Sequence, residues 1–172
     1  IPSIIFGLFG YVFFGNTLGL GYSILTGALT LSIMVLPLIT RTTQEALKTV
    51  PESYRSGALG IGATKWYMIR TILLPSAMPG IVTGIILAIG RIVGESAALL
   101  FTAGSGYLLP KDFLGKIFES GGTLTIQLYL CMQKAKYGQA FGIAVVLLVI
   151  VLAINGLAKY LSHKFNTEVK ES

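Results

Sequence analysis

Residues 52–75, ESYRSGALGIGATKWYMIRTILLP, are a charged, glycine-broken stretch set between segments apolar enough to span a bilayer. Glu52, Arg55, Lys65 and Arg70 flank a glycine cluster formed by Gly57, Gly60 and Gly62. An amphipathic elbow of this kind adds nothing to an apolar bundle and loses conformational entropy when it orders. Its presence predicts a knob offered to something in the cytoplasm, with membrane spans on either side.

Composition agrees with that division. Charged residues make up 12% of the 172, against about 25% in an ordinary soluble domain. Hydrophobic residues make up 53% and the mean hydropathy is +0.78, so the lipid bilayer is the expected solvent. The net charge of +6 is spread over loops rather than gathered on one face, which argues against nucleic acid. One cysteine, Cys131, and one histidine, His163, build neither a disulfide nor a metal site, and no metal or other cofactor is expected. The chain opens at Ile1-Pro2 inside apolar sequence, which predicts a missing N-terminal portion rather than a signal peptide.

Four hydrophobic segments follow along the chain. Ile4 to Phe14 is short for a span by itself and ends at a turn, Gly15-Asn16-Thr17. Leu18 to Ile39 carries no charge. Pro79 to Thr102 is interrupted only by Arg91 and Glu95, and Ala140 to Leu161 centres on AVVLLVIVLAI. The expected fold is an all-α, polytopic transmembrane helix bundle with about four spans, over residues 1–161, followed by a tail at 162–172. Gly7, Gly10, Gly27, Gly80, Gly84, Gly90 and Gly94 read as close-packing positions between membrane helices.

Lysine and arginine set the orientation. Arg41, Lys48, Arg55, Lys65 and Arg70 crowd the 41–76 loop, and Lys159, Lys164 and Lys170 mark the end of the chain. Two spans separate these regions, so both lie on one side, and the charge assigns them to the cytoplasm. The 104–139 loop then faces outside the cell membrane. Its apolar run Thr123 to Met132 is too short to cross and is expected at the interface or packed on the bundle.

Within the elbow, Thr42-Thr43-Gln44-Glu45 fits a capping box, and Pro51 suits the first turn of a helix. Gly57, Gly60 and Gly62 end that helix, with Gly62 the candidate left-handed residue. Thr64 caps the next helix, whose Trp66, Ile69 and Leu73 make one apolar stripe. Pro75 and Pro79 bracket the return to the membrane. A hairpin lying on the bilayer surface is the competing reading.

The spacing Gly62, nine residues, Ile72, one residue, Leu74-Pro75 resembles the cytoplasmic signature loop of ABC-importer permeases. On that spacing the family's Glu-Ala-Ala falls on Ser56, Gly57 and Ala58, so Ser56 stands where the family carries Glu. Glu52, one turn earlier, is the available substitute. With VPESYRSGALGIGATKW and GRIVGESAALLFTAG at 90–104, the chain resembles PstA-type permeases of phosphate importers, corresponding to the last four of their six spans. The resemblance implies the type I importer fold and a cytoplasmic ABC ATPase dimer that docks Ser56, Gly57, Ala58, Gly62, Trp66, Ile72, Leu74 and Pro75. It also implies a second permease subunit (sister or self) and an external phosphate-binding protein.

Arg91 and Glu95 fall four apart and are expected on one helix face. Each charge at mid-bilayer costs about 2.5–3.5 kcal/mol on insertion scales, so such residues are expected to face the bundle interior or water and to pair. Arg91 offers a planar donor fork to oxyanion oxygens. Glu95 is expected to hold the guanidinium until an anion arrives, with Ser96 as an accessory hydroxyl. A purely structural ion pair is the alternative.

Gly57-x4-Gly62 mimics a P-loop, but no lysine follows the second glycine directly. Neither a nucleophile triad nor paired carboxylates supports an enzyme, so ATP hydrolysis is expected in a partner chain. A permease for molybdate or sulfate, and a non-transport membrane scaffold, remain as alternatives. No mid-membrane helix break or inverted repeat of the secondary-transporter kind is visible.

Overall fold

The computed structural model describes the backbone of residues 2–106 and 115–171, with side chains as far as Tyr160. Residues 107–114 of the expected external loop, Lys111 among them, and the side chains of residues 161–172, the expected tail included, lie outside the described residues. Among the described residues every regular element is helical. Three helical runs, Ile24–Lys48, Lys65–Val93 and Tyr137–Tyr160, are long and apolar enough to cross a membrane, and Ser3–Thr17 is a shorter apolar helix.

Helix α1 (Ser3–Gly10) runs on through a π-helical stretch, Tyr11–Thr17. The expected turn at Gly15-Asn16-Thr17 is therefore helical, and the chain reverses later. Gly19 and Gly21 adopt φ of +71° and +57°, a region open to glycine and strained for other residues. Their turn ends at Ser23, whose Oγ accepts the Thr26 N–H at 3.1 Å and caps α2 (Ile24–Lys48). The second span thus starts six residues later than Leu18. It also extends nine residues past Ile39, because nothing between Thr40 and Lys48 breaks a helix until Pro51 restricts the residue before it. Thr42 is accordingly no cap: its hydroxyl donates to Leu38 O and Ile39 O inside α2. Glu45 pairs with Arg41 at 3.1 Å one turn back, so no capping box forms.

Beyond Pro51 come α3 (Glu52–Gly60), α4 (Lys65–Met68), a π turn at Ile69–Leu73 and α5 (Leu74–Val93), the last three forming one helical run. The expected third span, Pro79 to Thr102, is broken: α5 ends at Val93 and α6 spans Ala97–Thr102. A short 3₁₀ turn at Gly115–Phe118 precedes α7 (Leu124–Gln133) and α8 (Tyr137–Glu171).

The chain divides into two compact units. The first comprises residues 1–36 and 90–153. A Cβ on Gly7 would stand 2.8 Å from the Ala98 Cα, and one on Gly27 would stand 2.9 Å from the Ala103 Cβ. Gly10 likewise faces the Thr30 side chain. Small residues thus let α1 and α2 close on their neighbours, which replaces the hydrophobic drive that lipid removes. The apolar run Thr123 to Met132 is α7, packed on this unit with Ile126 and Cys131 buried.

The second unit comprises residues 37–89 and 154–172. Here Gly80 faces Ala46 and Gly84 faces Thr42, holding the end of α2 against the start of α5. Of the seven glycines read as packing positions, these two and the three above make such contacts. Gly90 faces open space, and Gly94 meets only carbonyls of its own turn. In the first unit, along α8, Phe141, Val145, Val146, Leu148, Val149 and Leu152 are exposed, an apolar band suited to lipid.

Candidate functional site

The elbow is built on a small core of its own. Ala46, Val50, Ala58, Met68, Leu73 and Ala77 are buried together, with Leu47, Ala63, Ile72 and Ile81 packed around them. Met68 and Leu73 are five residues apart, a spacing that splays side chains on a regular α-helix. The π turn between them, with its longer i→i+5 repeat, brings both onto the same core. The expected stripe of Trp66, Ile69 and Leu73 is therefore not one buried face. Leu73 is buried, whereas Trp66 and Ile69 are exposed.

The glycine elbow itself closes as a Schellman motif. Ala63 N–H donates to Ala58 O at 3.0 Å and Gly62 N–H donates to Leu59 O at 3.0 Å, satisfying carbonyls that the end of α3 leaves free. Gly62 is the left-handed residue, with φ +81°. Ala58 and Ala63, the two positions whose contact accompanies this motif, both belong to the elbow core. Gly57 lies inside α3, while Gly60 is its last residue. Thr64 caps α4, its Oγ1 accepting the Tyr67 N–H at 3.3 Å. Pro51 sits just before α3, at its cap position. Arg55 reaches back from α3 and donates to Leu47 O at 3.2 Å, fastening α3 to the last turn of α2.

Among what this base presents outward, beside Glu52, Lys65 and Arg70, are several large apolar side chains. Ile61 is 84% exposed and Trp66 71% exposed, with Tyr54, Leu59 and Tyr67 exposed beside them. Ser56, at the consensus glutamate position, is exposed and turns its hydroxyl onto Glu52 O and Ser53 O of its own helix. Glu52 is 3.7 Å from Arg55. Ile72 is half-buried against the elbow core, and Leu74 and Pro75 are exposed on the first turn of α5. Leu59, Ile61 and Tyr67 are not among the residues that the signature spacing singles out. Their signal is a pair of large apolar residues interleaved with Gly60 and Gly62, where a solvent loop would carry polar ones.

The second candidate region lies in the first unit, at the break between α5 and α6. Arg91 is exposed in the last turn of α5 and makes no ion pair among the described residues. Glu95 lies past the end of that helix, so the two do not share a helical face. Glu95 is 8% exposed, and its Oε1 accepts the Ala98 N–H at 3.1 Å. The reason is local. Gly90 and Gly94 offer little to hold a helix, and a carboxylate that satisfies a free N–H of α6 competes with helix continuation. Ser96 is half-buried, its hydroxyl makes no capping bond, and its carbonyl accepts Leu100 N–H at 2.9 Å. No proline marks this break, so the pattern of residues alone does not disclose it.

The whole of this architecture falls within one family description. Residues 1–167 match the profile of the binding-protein-dependent transport system inner membrane component. The chain belongs to that family. The permease is 36% identical over 172 residues to a phosphate transport system permease protein, PstA 2, of Mycobacterium bovis, covering 95% of this chain and 56% of that protein. It is 49% identical over 102 residues to PstA of Xylella fastidiosa, covering 59% of this chain and 36% of that protein. A probable ABC transporter permease of Bacillus subtilis, YqgI, is 48% identical over 104 residues, 60% of this chain and 35% of that protein. The chain thus spans between about one-third and just over half the length of these relatives. No solved structure matches it. The PstA-type resemblance drawn from the signature loop holds, and the chain, helical throughout its described regular elements, belongs to a family of transport-system membrane components.

Proposed function

We propose that this permease carries inorganic phosphate inward across the cell membrane as part of an ATP-driven importer. The names of the PstA relatives support the substrate. Arg91 supplies a matching chemistry: a planar, permanently charged fork that no carboxylate among the described residues pairs. The 41–76 loop and the C-terminus face the cytoplasm, and the 104–139 loop faces outside. A second permease subunit, sister or self, completes the pathway, and an external phosphate-binding protein delivers the anion.

The observation that carries the coupling is the elbow: an apolar tip of Ile61, Leu59, Trp66 and Tyr67 on a base stapled by the Schellman turn and Arg55. An apolar tip facing water has no folding rationale, and it fits a groove on a cytoplasmic ABC ATPase dimer. Ser56, Gly57, Ala58 and Gly62 shape the docking helix, and Trp66 contacts the partner. Ile72, Leu74 and Pro75 pass the load into α5. Closure of the ATPases on ATP pushes the elbow, and the helical run Lys65–Val93 carries the movement to the break at residues 94–96.

The test uses the full-length protein with its partner subunits in proteoliposomes. Ile61→Asp combined with Trp66→Ala is expected to lower ATPase co-purification at least tenfold and to abolish ATP-dependent phosphate uptake, at unchanged membrane abundance. Normal co-purification and uptake in that variant would remove the elbow from the coupling path. A molybdate or sulfate permease shares the Arg91 chemistry, and competition by those anions during uptake separates it.

A further inference from the structure

The hydroxyls that open α7 take no part in the pathway proposed above, yet they lead directly into it. Thr123 caps α7, its Oγ1 accepting the Ile126 N–H at 3.3 Å. The Thr123 and Thr125 hydroxyls lie 2.8 Å apart. Thr125 in turn donates to the backbone carbonyl of Glu95 at 2.9 Å. A hydroxyl has one proton. Thr125 uses its own on Glu95, so Thr123 is the donor in the contact between them. Three hydrogen bonds therefore run in one direction, from the first turn of α7 into the backbone of the α5–α6 break. On the far side of the same residue, the Glu95 carboxylate accepts the Ala98 N–H.

The geometry points to Thr125 as a positioning residue: by fixing the Glu95 peptide it keeps the Glu95 carboxylate on α6 and away from the Arg91 guanidinium. Arg91 then stays available to an oxyanion. This rests on the pathway role of Arg91 proposed above. Only Ile92, Val93 and Gly94 separate Arg91 from Glu95. A Cβ at Gly94 would meet nothing nearer than 3.8 Å, so the chain there has room to turn. A carboxylate released from α6 is the strongest available competitor for a guanidinium. The anion would have to displace it at every cycle.

Thr125→Val keeps the shape and removes the hydroxyl, whereas Thr125→Ser keeps the donor. Two readouts are taken on the full-length transporter with its partners in lipid: hydrogen exchange of the Ala98 amide, and phosphate uptake at saturating phosphate. Thr125→Val is expected to speed Ala98 exchange about tenfold and to lower uptake about three- to tenfold, the scale of one lost buried hydrogen bond. Thr125→Ser is expected to stay within twofold of wild type on both. In a Glu95→Gln background Thr125→Val is expected to lower uptake no further, because an amide does not compete for the guanidinium. Equal losses from Thr125→Val with and without Glu95→Gln would make Thr125 merely structural and overturn the inference. So would unchanged exchange in Thr125→Val, or a serine variant as impaired as valine. If Arg91→Ala transports normally, the pathway role fails and this inference with it. If Arg91→Ala is inactive while Thr125→Val matches wild type on both readouts, this inference alone fails.

Discussion

Gly62 is the residue on which the elbow turns. Its φ of +81° and its place in the Schellman motif make it the one elbow glycine whose backbone another residue adopts only under strain. Gly57, by contrast, is helical, and a Cβ there meets open space. The two substitutions therefore separate. Gly62→Ala is expected to destabilise the elbow by about 1 kcal/mol and to weaken ATPase co-purification severalfold. Gly57→Ala, which restores the family's alanine, is expected to be neutral or stabilising by up to about 1 kcal/mol. Thermal melts and pull-downs of both variants in the purified transporter check the contrast. Gly62 and the Thr64 cap were legible in the sequence because local chemistry dictates them. Arg55 and the apolar tip were not, since a reach to Leu47 O and the exposure of Ile61 depend on how α3 folds back.

Among elements, the packing of α2 against α5 in the second unit depends on Gly80 and Gly84. Gly84→Leu drives a side chain into Thr42, an overpacking expected to cost about 1–3 kcal/mol. Membrane abundance of that variant should fall severalfold, while Gly90→Leu, with open space around the position, should be inserted at wild-type level. Immunoblots of membrane fractions read the difference, and equal abundance would show that Gly84 is not a packing position. Helix existence was legible from the apolar runs, whereas helix ends were not. The α2 helix passes through the Thr42 capping-box pattern because no breaker stops it before Pro51. Conversely, the third span breaks at Gly94 without proline, where two glycines weaken the helix and the Glu95 carboxylate accepts the free Ala98 N–H of the next one. A one-dimensional pattern of spacings does not reveal that choice. It also hides the π turn at Ile69–Leu73, which the backbone shows and which brings Met68 and Leu73 onto one core.

At the scale of the molecule, low charge and high apolar content point to the class, the signature-loop spacing points to the family, and the match over residues 1–167 shows it. The substrate does not follow from either. The proposal of phosphate rests on the Arg91 fork, which no carboxylate among the described residues pairs, and on the names of the relatives that the chain matches. The most direct measurement is ATP-dependent uptake of labelled phosphate by the full-length protein assembled with its partners, comparing wild type with Arg91→Ala and Arg91→Lys. Sulfate and molybdate are included as competitors, and membrane abundance is recorded for each variant. The account predicts wild-type phosphate uptake indifferent to both competitors, at least a hundredfold loss in Arg91→Ala, and partial activity in Arg91→Lys, which keeps charge without the fork. Full uptake in Arg91→Ala at normal abundance, or a wild type that carries sulfate or molybdate instead of phosphate, would contradict it.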